Sequence, residues 1–497
     1  MYDAIIIGAG LGGLTAGAKL AKEGKKVLLI EQHHISGGCA TNFKRVGSNI
    51  DVSLHETDGL DDSDIKRNIF EELKVFENVE FIRLPEFYRF TNDRIDIVIP
   101  DDYKKAEKIL IEKFPGEEKG VKRFFSGIIG VRNEFKRMPR SGLKMLLQLP
   151  FFPLLYPRIV SSMNKTVSQF LDKIIKNDDL KLILAANIGF YHDNPETMSF
   201  IFFAIAQASF YVGGGHYIKG GSQKLSDYLA KFIKENGGEV ILGHKVIKII
   251  TENNKAIGVE YKKTLSDSES IKAYGKNIIA NAAIPNVVND LLPEELSTKL
   301  KPKIEKLKTA NSLLSIYLFF KKPIKELGNK YYSTFVFNPN VHTLHDFNYH
   351  TDFNERGFTF IDYSQIDSQL AAPGKGVGII CTVDYIDEWK KLNDAEYKAK
   401  KDTVAKIYIE RLNNLIPGIK DQIEHYEVGT PKTIERYTLN PRGAVYGFAQ
   451  IPSQSAIRRI QQKSPIKNLY FASAWTMPGG GFTGAIMSGY FCAEQIL

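Results

Sequence analysis

Cysteine is scarce in this sequence, where only Cys39, Cys381 and Cys492 occur among 497 residues. None of the three belongs to a CxxC pair, so neither a metal cage nor a disulfide framework is indicated, and a reducing compartment is favoured. The sequence also lacks an apolar run of the roughly 18 residues that a membrane-spanning helix needs. It opens on a strand pattern, without the charged segment and cleavage site of a secretory signal. We therefore expect a cytoplasmic protein without a bound metal or a transmembrane helix.

A large excess of charge of one sign is also missing, because the formal net charge is +9 over the whole sequence. A moderate basic surplus favours anionic membrane surfaces first, cofactor phosphates second and nucleic acid last. No recognisable nucleic-acid-binding module accompanies it, so we predict no nucleic-acid partner. The hydrophobic fraction of 43% and the charged fraction of 25% are ordinary for a globular protein.

The N-terminal segment carries the pattern of a βαβ unit. Residues 2–7, YDAIII, form a short apolar run that predicts a buried parallel strand. Residues 12–23 predict a helix, which Gly24 ends, and residues 25–31 predict the second strand. This order of elements is typical of a Rossmann-type nucleotide-binding fold.

A glycine motif joins the first predicted strand to the first predicted helix. Gly8, Gly10 and Gly13 match the GxGxxG pattern, whose glycines allow a tight turn, close approach to a pyrophosphate and close helix–strand packing. Glu31 ends the second predicted strand, where a carboxylate binds ribose hydroxyls and disfavours a 2′-phosphate. The motif predicts a bound dinucleotide, but by itself it does not distinguish FAD from NAD. A glycine-rich turn without a ligand is the structural alternative.

Further α/β elements follow late in the chain. The sequence predicts a helix over 220–238, short strands over 239–261 and another strand over 276–283. A last strand over 468–475 precedes a glycine-rich turn and a last helix over 484–497. The pattern therefore predicts an α/β protein in which the nucleotide-binding unit returns after long intervening segments.

We interpret the chain as two domains, both split in sequence. Residues 1–85, 215–290 and 425–497 are predicted to form a Rossmann-type FAD-binding domain. Residues 86–214 and 291–424 are predicted to form an α+β substrate-binding domain. The length agrees with about two or three domains.

Two blocks of sequence extend the glycine motif into a longer resemblance. Residues 32–56, QHHISGGCATNFKRVGSNIDVSLHE, place Gly37 and Gly38 just after the predicted ribose-binding acid, and residues 468–497 end in a glycine turn and a helix. Both blocks resemble the flavin amine oxidase superfamily. Within it, these blocks and residues 211–240 are similar to the phytoene desaturase, carotenoid isomerase and retinol saturase family of FAD-dependent oxidoreductases.

The resemblance is uneven along the chain. Ile50 and Ser53 stand where the family motif has a phenylalanine and a glycine, whereas His55 after that motif is especially similar to the retinol saturases. The two segments of the predicted substrate domain resemble the family less. The resemblance therefore implies the fold and the cofactor more strongly than the reaction, and the substrate least.

The resemblance implies a noncovalently bound FAD. Cys39 is expected to be a small residue close to the cofactor and not a covalent link to it. N–H groups at the start of the last helix are expected to stabilise negative charge on the reduced flavin ring. Beyond the glycine motif and Glu31, the residues predicted to contact FAD are Gly37, Gly38, Thr41, Val246, Ala474, Gly481, Thr483, Gly484 and Ala485.

Three residues are candidates for catalysis. His55 and Glu56 are adjacent polar residues after the first flavin block, where they would donate a proton or anchor a polar substrate end. Tyr217 is predicted to face the flavin ring. Ordinary packing or exposure is the alternative for each. Weaker candidates are the pair Tyr191 and His192, and the aromatic residues Tyr446, Trp475 and Phe482, which line the substrate side of the flavin or belong to the core.

Residues 136–165 form an apolar segment flanked by basic residues. Its centre, 145–160, is too short to span a bilayer, and three prolines interrupt any long helix. Two interpretations stay open: a peripheral membrane contact whose cations meet anionic lipid, or an internal lid over the substrate cavity. The second apolar run, 199–212, predicts a buried wall of the substrate domain.

The leading functional hypothesis is an FAD-dependent enzyme acting on carbon–carbon bonds of a long lipophilic substrate, such as a carotenoid, a retinoid or another isoprenoid. Desaturation, saturation and cis–trans isomerisation all need the substrate against the flavin in a dry tunnel. An amine or amino-acid oxidase is the alternative, although Ser473, Ala474 and Trp475 replace the G-E-T sequence of amine oxidases. A non-catalytic FAD-binding module is the third possibility. No second Rossmann motif is apparent, so the electron partner is unknown.

Overall fold

The computed structural model describes residues 1–139, 147–266, 268–350 and 352–497. Its strands are β1 (Tyr2–Ile7), β2 (Val27–Ile30), β3 (Asn42–Arg45), β4 (Ser48–Asp51), β5 (Thr57–Asp58), β6 (Phe81–Arg83), β7 (Tyr88–Thr91), β8 (Asp96–Ile99), β9 (Gly215–Ile218), β10 (Glu239–Ile241), β11 (His244–Glu252), β12 (Lys255–Lys263), β13 (Ile271–Ala280), β14 (Ser312–Phe320), β15 (Ser333–Val336), β16 (Phe358–Asp362), β17 (Gly376–Asp384), β18 (Ile423–Gly429) and β19 (Leu469–Phe471).

Its α-helices are α1 (Leu11–Lys22), α2 (Ile65–Glu72), α3 (Tyr103–Lys113), α4 (Glu118–Arg137), α5 (Phe152–Leu155), α6 (Pro157–Ser162), α7 (Val167–Ile174), α8 (Asp178–Leu184), α9 (Phe200–Gly213), α10 (Gln223–Glu235), α11 (Ile284–Asn286), α12 (Glu294–Ile304), α13 (Asp387–Lys390), α14 (Asp394–Leu415), α15 (Pro431–Thr438) and α16 (Gly481–Glu494).

The first sheet is a Rossmann-type sheet built from three separate parts of the chain. Strands β10, β2, β1, β13 and β19 lie side by side and run parallel, and β12 and β11 continue the sheet from β13 as an antiparallel meander. The apolar runs of β1 and β2 are buried because α1, α10 and α16 pack against one face of the sheet, and β11, β12 and α12 pack against the other. The βαβ unit predicted from the sequence is present at the expected place.

Strand β13 joins the two parts of this sheet. Its first half pairs with β12, while its second half pairs with both β1 and β19. The last strand is shorter than predicted, and α16 begins at Gly481 because Gly480 already has the extended backbone of a helix cap. The three sequence stretches expected to build the nucleotide-binding unit therefore meet in one sheet.

The second sheet has the order β18-β14-β17-β16-β15-β7-β8 and is antiparallel except for the pair β15–β7. Its strands come from both segments predicted to form the substrate-binding domain. Strand β18, however, begins at Ile423, so the boundary predicted between residues 424 and 425 falls inside a strand of this sheet. The remaining domain boundaries stay predictions.

The apolar segment 136–165 begins in the last turn of α4 and includes the short helices α5 and α6. Residues 140–146 of this segment lie outside the described residues. Among the described helices, none has both the length and the apolar composition to cross a bilayer. The apolar run 199–212 forms α9, which is largely buried and packs against α4.

Candidate active site

A cavity of about 490 Å³ lies at the carboxyl ends of the parallel strands of the first sheet. The residues that directly follow β1, β2 and β13 line it, namely Gly8, Glu31 and Asn281, and so do residues close behind β19. Ligands of open parallel α/β sheets bind at this edge, because the strand ends leave a crevice there.

Backbone crowding explains two of the motif glycines. A Cβ added to Gly8, which has a φ of +94°, would lie 2.5 Å from the carbonyl oxygen of Asn281. A Cβ at Gly13 would lie 2.2 Å from the carbonyl oxygen of Gly8, so helix α1 packs against the turn only without a side chain there. Gly13 itself does not line the cavity, whereas Gly8 and Gly10 do. Bare backbone and the N-terminus of α1 therefore face the space, as phosphate binding requires.

Glu31 is held at the cavity by backbone hydrogen bonds. Its Oε2 accepts from the amide of Ala9 at 2.6 Å, and its Oε1 accepts from the amide of His33 at 2.8 Å. Burial raises the pKa of this carboxyl above its ordinary value. Gly37 lies beside it, with its amide donating to the carbonyl of Ala9 at 2.8 Å, and Val246 on β11 lines the same end of the cavity.

The opposite end of the cavity is formed by the C-terminal part of the chain. Ala474 and the first turn of α16, which includes Gly481, Thr483, Gly484 and Ala485, line this end. The N-terminus of α16 therefore points its free amides at the space where the redox ring of a dinucleotide would lie.

Two residues near the Gly37–Gly38 turn differ in placement. Cys39 lines the cavity, and burial raises the pKa of its thiol to about 11, which leaves it neutral and weakly nucleophilic. Thr41 does not line the cavity; its hydroxyl donates to the carbonyl of Gly38 at 3.2 Å and supports the turn from behind. A neutral Cys39 agrees with a noncovalently held cofactor.

His55 and Glu56 both line the cavity; His55 is buried, whereas Glu56 is half-buried with both carboxyl oxygens shielded from solvent. Burial raises the pKa of the Glu56 carboxyl well above its ordinary value, and the nearby carboxyls of Glu86, Asp58 and Asp101 add to the effect. Among the described residues, neither carboxyl oxygen of Glu56 has a hydrogen-bond partner. Burial and the neighbouring carboxyls both favour the protonated form of the Glu56 carboxyl, which can then donate a hydrogen bond into the cavity.

The imidazole of His55 is neutral for the same physical reason. Burial lowers its pKa to about 4, and its Nδ1 has no partner among the described residues. The backbone carbonyl of His55 accepts a hydrogen bond from the hydroxyl of Tyr332 at 2.5 Å, which fixes this strand connection. The structure thus brings a neutral imidazole and a carboxyl group with a raised pKa into the same cavity.

Tyr217 is not brought to the cavity. Its side chain is fully buried, its hydroxyl donates to Asp51 at 3.4 Å, and its ring packs 5.1 Å from that of Tyr363. The expectation that Tyr217 faces the flavin ring therefore has no support in the geometry. Tyr217 lies on β9, the central strand of the small sheet β5-β9-β6, and its side chain belongs to the hydrophobic core.

The weaker candidates divide in the same way. Tyr191 lines the cavity, whereas His192 turns away and its Nε2 lies 2.9 Å from the hydroxyl of Thr197. Tyr446, Trp475 and Phe482 all line the cavity, and Trp475 also packs into the core.

A buried ion pair beside the cavity was missed by the sequence reasoning. Lys66 on α2 is fully buried, and its Nζ donates to the hydroxyls of Thr57 and Thr483, each at 2.9 Å, and pairs with Asp58 at 3.2 Å. Burial alone would raise the pKa of Asp58, but the charge of Lys66 and hydrogen bonds from Thr483 and Lys66 hold it below its ordinary value. A lysine inside a polar helical pattern gives no sequence signal of burial.

The fold and this site define a flavoprotein of the Rossmann type. A family profile described as flavin containing amine oxidoreductase matches residues 11–497, and the chain belongs to this family. An all-trans-retinol 13,14-reductase of Danio rerio is 29% identical over 546 residues, which cover 100% of this chain and 86% of the relative. A chloroplastic prolycopene isomerase of Daucus carota is 28% identical over 509 residues, covering 100% of this chain and 80% of the relative.

The fold likeness extends to solved structures. The crystal structure of an oxidoreductase from Methanosarcina mazei matches with a TM-score of 0.63 at 17% identity, and the match covers 99% of each chain. These findings confirm the split α/β fold, the flavin cofactor and the class of enzyme that the sequence predicted. The matched family corresponds to the flavin amine oxidase superfamily, which the sequence blocks at residues 32–56 and 468–497 resemble.

Proposed function

We propose that this protein is an FAD-dependent enzyme that acts on a carbon–carbon double bond of a long isoprenoid. The observation that carries the proposal is the composition of the cavity. One end is a dinucleotide cradle, and the other end is walled by apolar side chains such as Ile201, Phe202 and Ile205 of α9. The names of two relatives, a retinol reductase and a prolycopene isomerase, support the same substrate class.

The predicted FAD contacts divide into those at the cavity and those that support it. We propose that Gly8, Gly10, Glu31, Gly37 and Gly38 hold the adenosine and pyrophosphate, with Val246 near the adenine. Ala474 and the first turn of α16 hold the ring. Gly13 and Thr41 do not line the cavity. Gly13 allows helix α1 to pack against the glycine turn, and Thr41 supports the Gly37–Gly38 turn through its hydrogen bond to Gly38.

The flavin, when bound, supplies or accepts the hydride of the reaction. The residues of the chain supply the rest. In saturation, Glu56 would donate its carboxyl proton to one carbon of the double bond, and the other carbon would receive the hydride of a bound reduced flavin, so that the two electrons and both hydrogens are accounted for. The start of α16 stabilises the negative charge of the reduced ring. The apolar wall excludes water from this step.

An anaerobic screen tests the function. Purified holoenzyme, oxidised or reduced with dithionite, is mixed with retinol, phytoene or cis-lycopene in micelles while the flavin absorption is recorded, and the products are analysed by mass. We expect a flavin change with at least one isoprenoid. A mass change of two hydrogens identifies saturation or desaturation, whereas an unchanged mass with altered geometry identifies isomerisation.

Amines serve as the comparison in the same screen. Rapid bleaching of the flavin by putrescine or cyclohexylamine, with no change in flavin absorption for any isoprenoid, would overturn the proposal in favour of an amine oxidase. A flavin that neither group of compounds affects, and that dithionite reduces normally, would indicate a binding module.

We also propose that the described end of the apolar segment rests on an anionic lipid surface. Leu147 is 67%, Phe151 59% and Leu154 81% exposed, which disfavours an internal lid. Basic side chains accompany them, including the exposed Arg137 and Arg158. Phe135, in the last turn of the preceding helix α4, lines the cavity, so a lipophilic substrate would reach the site directly from the membrane.

A further inference from the structure

A second, smaller cavity of about 130 Å³ lies against the second sheet. Its inner wall is aromatic and buried, with Phe335, Phe337 and Phe347 as its main members. Apolar protein cavities of about 150 Å³ hold a molecule of benzene. This space, which we term the distal chamber, therefore has the size of a single ring or one isoprene unit.

The distal chamber and the reactive cavity share two wall residues, Phe190 and Leu313. The ring of Phe190 lies 5.6 Å from the ring of His55 on one side and 5.1 Å from the ring of Phe335 on the other. A single layer of side chains therefore separates the two spaces at this position.

The floor of the distal chamber is one continuous face of the second sheet. Phe335, Thr359 and Cys381 form a row of paired residues across β15, β16 and β17, and the pair Leu313–Val383 lies two residues further along the strands, on the same face. Paired residues project to the same side of a sheet, so this row and Leu313 form one surface. A long apolar molecule can follow that surface from the reactive cavity into the chamber.

The separating side chains are apolar and only partly buried. Phe190 and Leu313 are only half-buried and have hydrocarbon side chains, so a rotamer change breaks no side-chain hydrogen bond. Most of the surface around them is apolar, although the lining of the chamber also includes polar side chains such as Asn338, Asp346 and Glu355.

We propose that Phe190 and Leu313 form a gate, and that the distal chamber receives the far end of long isoprenoids, so that it sets the accepted chain length. The proposal rests on the proposed function. Short isoprenoids fit within the reactive cavity and leave the gate closed. Long isoprenoids need both the open gate and the empty chamber.

The test fills the chamber without touching the reactive cavity. Thr359→Phe places a ring in the chamber, while Thr359→Val is a matched control of nearly unchanged size at the same position. Binding of retinol and of lycopene to the holoenzyme is measured by perturbation of the flavin spectrum. We expect Thr359→Phe to weaken lycopene binding at least tenfold and to change retinol binding less than twofold, with Thr359→Val like wild type.

A second variant addresses the gate itself. Leu313→Ala removes half of the wall, so we expect lycopene to associate several-fold faster in stopped-flow mixing, because its binding no longer waits for the gate. The flavin content of each purified variant verifies its fold.

The outcomes separate the two proposals. Equal effects of Thr359→Phe on both ligands, or no effect on lycopene, would contradict the distal chamber while leaving the proposed function intact. A wild-type holoenzyme that responds to neither ligand nor to any other isoprenoid would remove the proposed function, and the gate with it.

Discussion

At the scale of single residues, the buried charge of Lys66 is matched to one partner. Substituting Lys66 by methionine leaves Asp58 buried without its ion pair, and removing one member of a buried pair costs about 3–5 kcal/mol. We expect a clearly lower urea midpoint for Lys66→Met holoenzyme. Lys231→Met is the control, because that lysine is exposed and its pair with Glu235 contributes little. Equal midpoints for the two variants would contradict the role of Lys66.

A second prediction at the scale of single residues concerns Glu56 and the pH dependence of protein stability. The unfolded chain releases the Glu56 proton near a pKa of 4.5, whereas the folded protein keeps it because its pKa is raised. The stability contributed by the protonated acid is complete below pH 4.5 and is lost as pH rises toward the folded pKa, by about 1.4 kcal/mol per pH unit. Glu56→Gln cannot ionise and avoids this loss.

Thermal unfolding of the holoenzyme at several pH values measures the effect. We expect the melting temperature of Glu56→Gln to gain on wild type as the pH rises above about 5. Glu118→Gln, at an exposed position, should show no such gain. A constant difference between Glu56→Gln and wild type would mean that Glu56 is ionised in the folded protein.

At the scale of elements, the contact between α1 and α16 joins the two ends of the chain. A Cβ at Gly489 would lie 2.1 Å from the carbonyl oxygen of Gly12, and backbone atoms cannot yield to it. We expect Gly489→Ala to push α16 away from the flavin and to lower the flavin content of the purified protein several-fold. Gly17→Ala is the control on α1, because its Cβ would mainly meet the end of Ile233, which can move. Full flavin content in purified Gly489→Ala would contradict the expected displacement of α16.

The elements also show what a sequence can and cannot reveal. The βαβ unit and α16 were predictable because apolar runs and glycine turns are local signals. The second sheet was not, because its pairs join residues far apart in the chain, such as Thr334 with Arg89. At the site, motif spacing indicated the glycines and Glu31, and the position just after the first flavin block indicated Glu56. The burial of Lys66 and the true position of Tyr217 depend on which way their helix or strand faces. A single sequence does not give that orientation.

At the scale of the whole molecule, the exposed apolar segment predicts lipid binding. Leu154→Glu combined with Phe151→Glu places carboxylates where apolar side chains would enter the interface. We expect the double variant to lose most of its co-sedimentation with vesicles containing anionic phosphatidylserine, and wild-type binding to weaken with salt.

A control variant distinguishes the segment from exposed apolar residues in general. Leu265 is 98% exposed at a different place in the chain, so Leu265→Glu should leave vesicle binding unchanged. Binding that is equal for all three proteins, or that is absent in wild type, would contradict a membrane contact at this segment.

The pairing of β13 with both β1 and β19 has a consequence for biosynthesis. Strand β19 and helix α16 are translated after both segments of the second sheet, yet they form the ring end of the cofactor site. A nascent chain therefore exposes a half-built crevice until its final residues leave the ribosome. Truncated chains that lack β19 and α16 would form their first strands but would not bind the yellow flavin.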